Sequence, residues 1–211
     1  MKLYSTIMDQ GFCEQSIEKS RFITSVKAVE TKEEADAFIG EIKKKYKDAT
    51  HNVPAMVIGD KFQIQWASDD GEPQGTSGAP IVQMLVKEQI TNVAVVVTRY
   101  FGGIKLGTGG LVRAYTSSAK MGILAAGICD VMEMSVLQYK VDYTFFNRIQ
   151  NISKDNNFQI RNLIYEDVIS FEIVCDQENE KSINEMLQNI TNGAIILKYQ
   201  QFEKVKIKKD K

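Results

Sequence analysis

Eight of the fourteen glycines in this chain of 211 residues fall between Gly71 and Gly110, whereas residues 132–211 contain only Gly193. All three prolines, Pro54, Pro73 and Pro80, lie in the first half as well. Glycine and proline mark the places where a backbone leaves regular helix or strand. Special geometry is therefore concentrated before residue 131, and the remainder reads as regular scaffold. This asymmetry predicts two domains of α+β class, 1–131 and 132–211, a division that suits ordinary domain sizes.

Periodicity supplies the elements. In the first part, β-like stretches at Gly11–Ile17 and Arg21–Val29 precede a helix at Lys32–Tyr46. Thr31 is its cap, Glu34 stands at the capping-box position, and Ala35, Phe38, Ile39 and Ile42 form its apolar face. Strands follow at Val53–Ile58 and Phe62–Ala67, then a helix through Val82, Leu85 and Val86 that begins near Pro80. Val93–Val97 is nearly pure valine and alanine, the pattern of a central strand buried on both faces. A long helix, Gly109–Ala126, closes the domain. The second part runs strand, helix, strand, strand, helix, strand: Met134–Tyr143, Phe145–Lys154, Phe158–Tyr165, Val168–Cys175, Glu178–Ile190 and Ala194–Phe202. That order is the βαββαβ, ferredoxin-like plan.

Charge and cysteine content narrow the function classes. Residues 1–131 hold fifteen Lys/Arg against fifteen Asp/Glu, and residues 132–211 hold eleven against twelve. Neither part is a basic domain that would bind nucleic acid by bulk electrostatics. Local basic patches remain, at Lys43, Lys44, Lys45 and Lys47, and at Lys204, Lys206, Lys208, Lys209 and Lys211. Cys13, Cys129 and Cys175 are odd in number and far apart, which fits neither a disulfide framework nor a zinc site. No apolar run approaches the roughly 20 residues of a membrane span, and the first residues lack an apolar signal-peptide core. The expectation is a cytoplasmic protein with no membrane partner and no cofactor.

Two segments can carry chemistry. Residues 68–80 read SDDGEPQGTSGAP and residues 98–110 read TRYFGGIKLGTGG, each between a predicted strand and a predicted helix. Main-chain N–H groups of Gly75, Thr76, Ser77 and Gly78, and of Gly107, Thr108, Gly109 and Gly110, are candidate phosphate donors, with Gly102 and Gly103 shaping the second loop. Arg99, Lys105 and Arg113 can add positive charge, and Tyr100 or Phe101 can stack a base. Generic motifs fail: the second loop lacks the Lys-Ser/Thr ending of a P-loop, GxGxxG is incomplete, and Gly75–Ala79 is no GxSxG elbow. Asp69, Asp70 and Glu72 are candidate Mg²⁺ ligands through oxygen, and His51, Asp70 and Glu72 candidate acid–base groups. Asp-Asp-Gly is equally good turn chemistry. Trp66 and Tyr115 read as core.

Taken together, Asp69-Asp70-Gly71-Glu72-Pro73, Gly75-Thr76-Ser77-Gly78, Pro80 and the run from Val95 through Thr98-Arg99-Tyr100-Phe101-Gly102-Gly103 to Tyr115 strongly resemble the signature of the IMPACT family, in its YigZ-like bacterial form. Ala49-Thr50-His51 resembles that family's short histidine segment. The resemblance implies a first domain like domain 2 of ribosomal protein S5, a two-layer α/β sandwich with βαβ units. It implies a ferredoxin-like second domain similar to one of elongation factor G. It also implies a role in translation control or nucleic-acid binding, with RNA, the ribosome or a translation-related protein as partner. Three readings stay open: a binding protein whose glycine-rich loops approach phosphate, an enzyme on a phosphorylated or peptide-like substrate, and a protein-interaction module.

Overall fold

The computed structural model describes residues 1–153 and 158–209; Lys154 and Lys211, named above, lie outside them. The chain forms two compact units, one of Tyr4–Asp130 with the stretch from Lys206, the other of Met1–Leu3 with Val131–Val205. It passes between them within β1 (Lys2–Ile7), β7 (Ile128–Val141) and β10 (Ile196–Lys208). Strand β1 has no counterpart in the sequence reading. Among the described residues no helix is long and apolar enough to cross a membrane.

In the first unit, β2 (Gly11–Ile17), β3 (Ser20–Ala28), β4 (His51–Ile58), β5 (Ile64–Ala67) and β6 (Val93–Tyr100) form a sheet of order β2-β3-β6-β4-β5, with every pairing antiparallel. Strands β3 and β4 both oppose β6 and are therefore parallel to each other, so β3–α1–β4 is a split βαβ unit with β6 inserted. As its composition predicts, β6 is central and its valines are fully buried. Strand alternation sorts its side chains: Val93, Val95 and Val97 pack with α2 (Gly78–Lys87) and α3 (Gly107–Ala126). Ala94 and Val96 pack with α1 (Lys32–Lys45). Helix α1 thus adds a layer on the face opposite α2 and α3. Its start is fixed as expected, with Thr31 Oγ1 accepting from Glu34 N at 3.2 Å.

The assignment of Trp66 to the core is wrong: the residue is 44% exposed. It stands on β5, the edge strand, where no further strand covers it.

The second unit carries the ferredoxin-like order. Strand β7 pairs with β9 (Ile169–Cys175), β9 with β8 (Phe158–Tyr165), and β10 with β7, so β10-β7-β9-β8 is the sequence order 4-1-3-2; β1 pairs with β7 as well. Helices α4 (Tyr143–Ser153) and α5 (Glu180–Ile190) cover one face through Phe146, Ile149, Ile183 and Leu187.

Candidate functional site

Register builds the site. Across the first sheet Phe22 lies opposite Arg99, and Arg99 opposite His51. Cross-strand partners point to the same side, so all three share the face covered by α3. From α3, Tyr115 meets Phe22 edge to face, with ring centroids 5.4 Å apart. The Arg99 guanidinium sits between aromatic rings, 5.5 Å from the centroid of Phe22 and 5.4 Å from that of Phe101.

Glu72 completes the group. Asp70 and Gly71 both take positive φ, 48° and 90°, which reverses the chain after β5 and turns Glu72 inward. A carboxylate buried this deeply needs partners. Its Oε1 accepts from Arg99 Nη1 at 2.6 Å and from the Tyr115 hydroxyl at 2.7 Å. Burial, then the bond to Glu72, pushes the Tyr115 phenol far above its ordinary value, so it stays protonated as a donor. Arg99 Nη2 donates to Ser20 Oγ at 3.2 Å, while its buried Nε has no hydrogen-bond partner among the described residues. His51 Nδ1 is 2.8 Å from the carbonyl of Asp70, which can only accept, so this nitrogen carries the proton. In the neutral ring Nε2 then bears the lone pair, 3.8 Å from Glu72 Oε1.

Above these groups is a cavity of about 460 Å³. Thr50, His51, Glu72, Pro73, Arg99, Phe101, Lys105, Leu106, Gly107, Thr108 and Leu111 line it. Helix α3 opens here. Among the described residues no side chain caps it, no acidic residue lies in its first turn, and Gly107, Thr108 and Gly109 are exposed. Lys105 is exposed on the rim. Arg113 lines a neighbouring cavity with Lys105 and Gly110 instead. At Gly102 the chain passes tightly against the turn between β2 and β3: a Cβ there would lie 2.0 Å from the Lys19 carbonyl carbon and oxygen. Gly103 and Gly107 shape the same loop through positive φ.

Several sequence expectations need correction. The backbone of residues 75–78 is not an open phosphate cradle, because Asp69 already fills it. Its carboxylate accepts from Gly75 N (2.7 Å), Ser77 N (3.1 Å), Ser77 Oγ (2.7 Å) and Gly78 N (2.9 Å). Thr76 turns back onto the Pro73 carbonyl through both its N–H and its hydroxyl. Burial raises the Asp69 pKa, but the Ser77 hydroxyl and the three amides outweigh it and hold the carboxyl below its ordinary range. Asp69, Asp70 and Glu72 do not converge on a metal either. Asp70 accepts from Lys43 Nζ and from Asn52 N, both at 2.6 Å. Among the described residues no three His, Cys, Asp or Glu side chains form a metal-holding group. Of the acid–base candidates, the Asp70 carboxylate is held by Lys43 and Asn52, and only His51 and Glu72 share the cavity. Arg99 is buried and paired, so it does not offer its charge at the surface. Tyr100 alternates to the other side of β6, where its hydroxyl bonds Asp48 at 3.1 Å.

The sequence marks Tyr115 only as core, and Ser20 and Phe22 carry no sequence signal. A tyrosine rather than phenylalanine about two turns into a helix face of mostly small residues is the available hint that a buried acceptor faces it.

The comparisons with known proteins agree with this architecture. Residues 18–123 match the model of the Impact N-terminal domain, and residues 140–194 that of a domain of unknown function, DUF1949. The IMPACT family member YvyE of Bacillus subtilis (strain 168) is 40% identical over 195 residues, covering 92% of this chain and 90% of the relative. The IMPACT family member YigZ of Escherichia coli (strain K12) is 45% identical over 103 residues, 48% of this chain and 50% of the relative. A crystal structure described as that of a hypothetical protein superposes with a TM-score of 0.59 at 28% identity, over 93% of this chain and 97% of its own. On the domain match and the near full-length similarity to YvyE, the chain belongs to the IMPACT family.

Proposed function

We propose that this protein is a phosphate-recognising binding protein that acts on RNA in translation, with the phosphate held at the start of α3. The observation that carries the reading is that α3 opens on Gly107-Thr108-Gly109-Gly110 at the wall of a cavity, without a side-chain cap and with Lys105 beside it. Free N–H groups, the positive end of a helix of 20 residues and the exposed ammonium of Lys105 all favour an anion. The likeness to the family's signature directs the reading to RNA or the ribosome. Because the first domain carries equal numbers of acidic and basic residues, contact is local and engages few phosphates.

Titration of labelled single-stranded RNA at several salt concentrations tests this. The expected log–log slope is shallow, about two to four, and Lys105→Ala lowers it by about one. Lys87→Ala, on α2, is the control and leaves the slope in place. Absence of binding at low salt, or binding indifferent to Lys105, would overturn the reading. One observation favours a second reading, an enzyme on a phosphorylated substrate: His51 and Glu72 share the same cavity. Its mark would be turnover abolished by His51→Ala.

A further inference from the structure

We infer that the cavity at the start of α3 takes a terminal phosphomonoester and discriminates against the phosphodiesters inside a nucleic-acid chain, with His51 Nε2 as the discriminating group. The inference rests on the reading above for the site's preference for anions, and adds which anion.

The shape of the cavity favours a chain end. The cavity is concave and ends on buried Glu72 and Arg99, with Tyr115 behind them. A chain end can enter a site closed at its floor, whereas an internal phosphate must bring two flanking sugars in and out again. A volume of about 460 Å³ lies in the range of roughly 300–1,000 Å³ that small-ligand pockets occupy.

Donor chemistry favours an anion. Besides the α3 amides and Lys105, the cavity floor carries the Arg99 guanidinium, 4% exposed and paired with Glu72. Glu72 does not repel an anion by a full charge, because Arg99 and Tyr115 both bond its Oε1.

His51 separates the two ester classes. It donates from Nδ1 to the Asp70 carbonyl, so in its neutral form the ring presents an acceptor at Nε2 to the cavity. A phosphodiester has no proton to give, and its oxygens meet that lone pair with repulsion. A phosphomonoester keeps a second proton with a pKa of about 6. One proton shared between a monoester oxygen and Nε2 makes a charge-assisted hydrogen bond whichever atom holds it. The charged groups around the ring are Glu72 at 3.8 Å, Arg99 opposite it on β6, and Lys105 with the α3 terminus along the cavity wall. Asp70 presents only its carbonyl, its carboxylate being held by Lys43.

The test compares one RNA sequence in four forms at constant salt: 5′-phosphorylated, 3′-phosphorylated, unphosphorylated and circular, each titrated by fluorescence anisotropy. A mononucleotide is titrated separately by calorimetry. One of the phosphorylated ends is expected to bind at least about tenfold tighter than the unphosphorylated and circular forms, equivalent to about 1.4 kcal/mol. In His51→Ala this ratio falls towards one, with circular dichroism reporting that the variant is folded. Lys105→Ala, at an exposed side chain that cannot compromise folding through burial, weakens the phosphorylated forms as well. Equal binding of all four forms, or a ratio unchanged in His51→Ala, overturns the inference while leaving the RNA reading standing. Binding of the mononucleotide with no binding of any RNA upholds the monoester pocket and overturns the RNA reading. No binding of any ligand overturns both.

Discussion

Glu72→Gln is the sharpest perturbation of the site. The amide keeps the shape of the carboxyl and an oxygen that can still accept from Tyr115 and Arg99, but it removes the charge. Arg99 remains a cation at 4% exposure with no other anion in contact among the described residues. Breaking a buried pair by neutralising one member costs about 3–5 kcal/mol, a large share of the roughly 5–15 kcal/mol that holds a domain together. Tyr115→Phe removes one hydrogen bond to a charged acceptor and leaves the ion pair intact, so its cost is about 1.5–3 kcal/mol. Adding Arg99→Met to Glu72→Gln removes the stranded cation, fills the volume, and recovers most of the loss. Urea unfolding followed by Trp66 measures all three. It is the chain's only tryptophan and lies on β5 of the same sheet, so its fluorescence reports on the first unit. A Glu72→Gln cost below about 1 kcal/mol, the value of a solvated pair, would refute the reasoning. So would a double variant no more stable than Glu72→Gln alone.

The remaining predictions concern the two loops. Asp69→Ala deprives α2 of the carboxylate that caps it and is expected to cost about 0.5–2 kcal/mol in urea or thermal unfolding. Since the folded-state pKa of Asp69 lies below its unfolded value, its contribution is fully present above about pH 4 and is lost as pH falls through the folded pKa. The stability difference between wild type and Asp69→Asn should therefore be flat near neutral pH and shrink only in acid. Gly102→Ala places a Cβ against the Lys19 carbonyl and is expected to destabilise by about 1–3 kcal/mol or more; a melting temperature equal to that of wild type would show that the β2–β3 turn can move aside. 

Elements that depend on local patterning were legible in the sequence, and those that depend on register were not. The Thr31–Glu34 cap, the apolar stripe of α1 and the valine run of β6 each state their structure within a few residues. The βαββαβ order likewise follows from periodicity alone. What could not be read was which strands lie side by side. Arg99 meets Glu72, 27 positions away, and Ser20, 79 positions away, through pairings fixed by the whole sheet. Composition marked His51, Glu72 and Arg99 as chemically interesting, but nothing local to Arg99 says that its charge is spent internally. Trp66 failed for a related reason: a tryptophan in an alternating strand reads as core until the strand proves to be an edge.

The two glycine-rich loops looked alike because glycine reports backbone freedom and not what the freed N–H groups bond. A carboxylate decides the matter. Asp69 lies eight residues before Ser77 and nine before Gly78, and the turn of residues 69–72 folds it back onto the start of α2, where it takes the place an external anion would occupy. The second loop, from Phe101 to Gly110, contains no acidic residue, and the first turn of α3 has none either. Its positive end is therefore not neutralised from within. Elsewhere in the site the charges cancel in place, Arg99 against Glu72 and Lys43 against Asp70. That leaves Lys105, Arg113 and the α3 amides as uncancelled positive potential within residues 1–131, whose formal charges sum to zero. A neutral domain can hold an anion only where its own carboxylates cannot reach, and the opening of α3 is such a place.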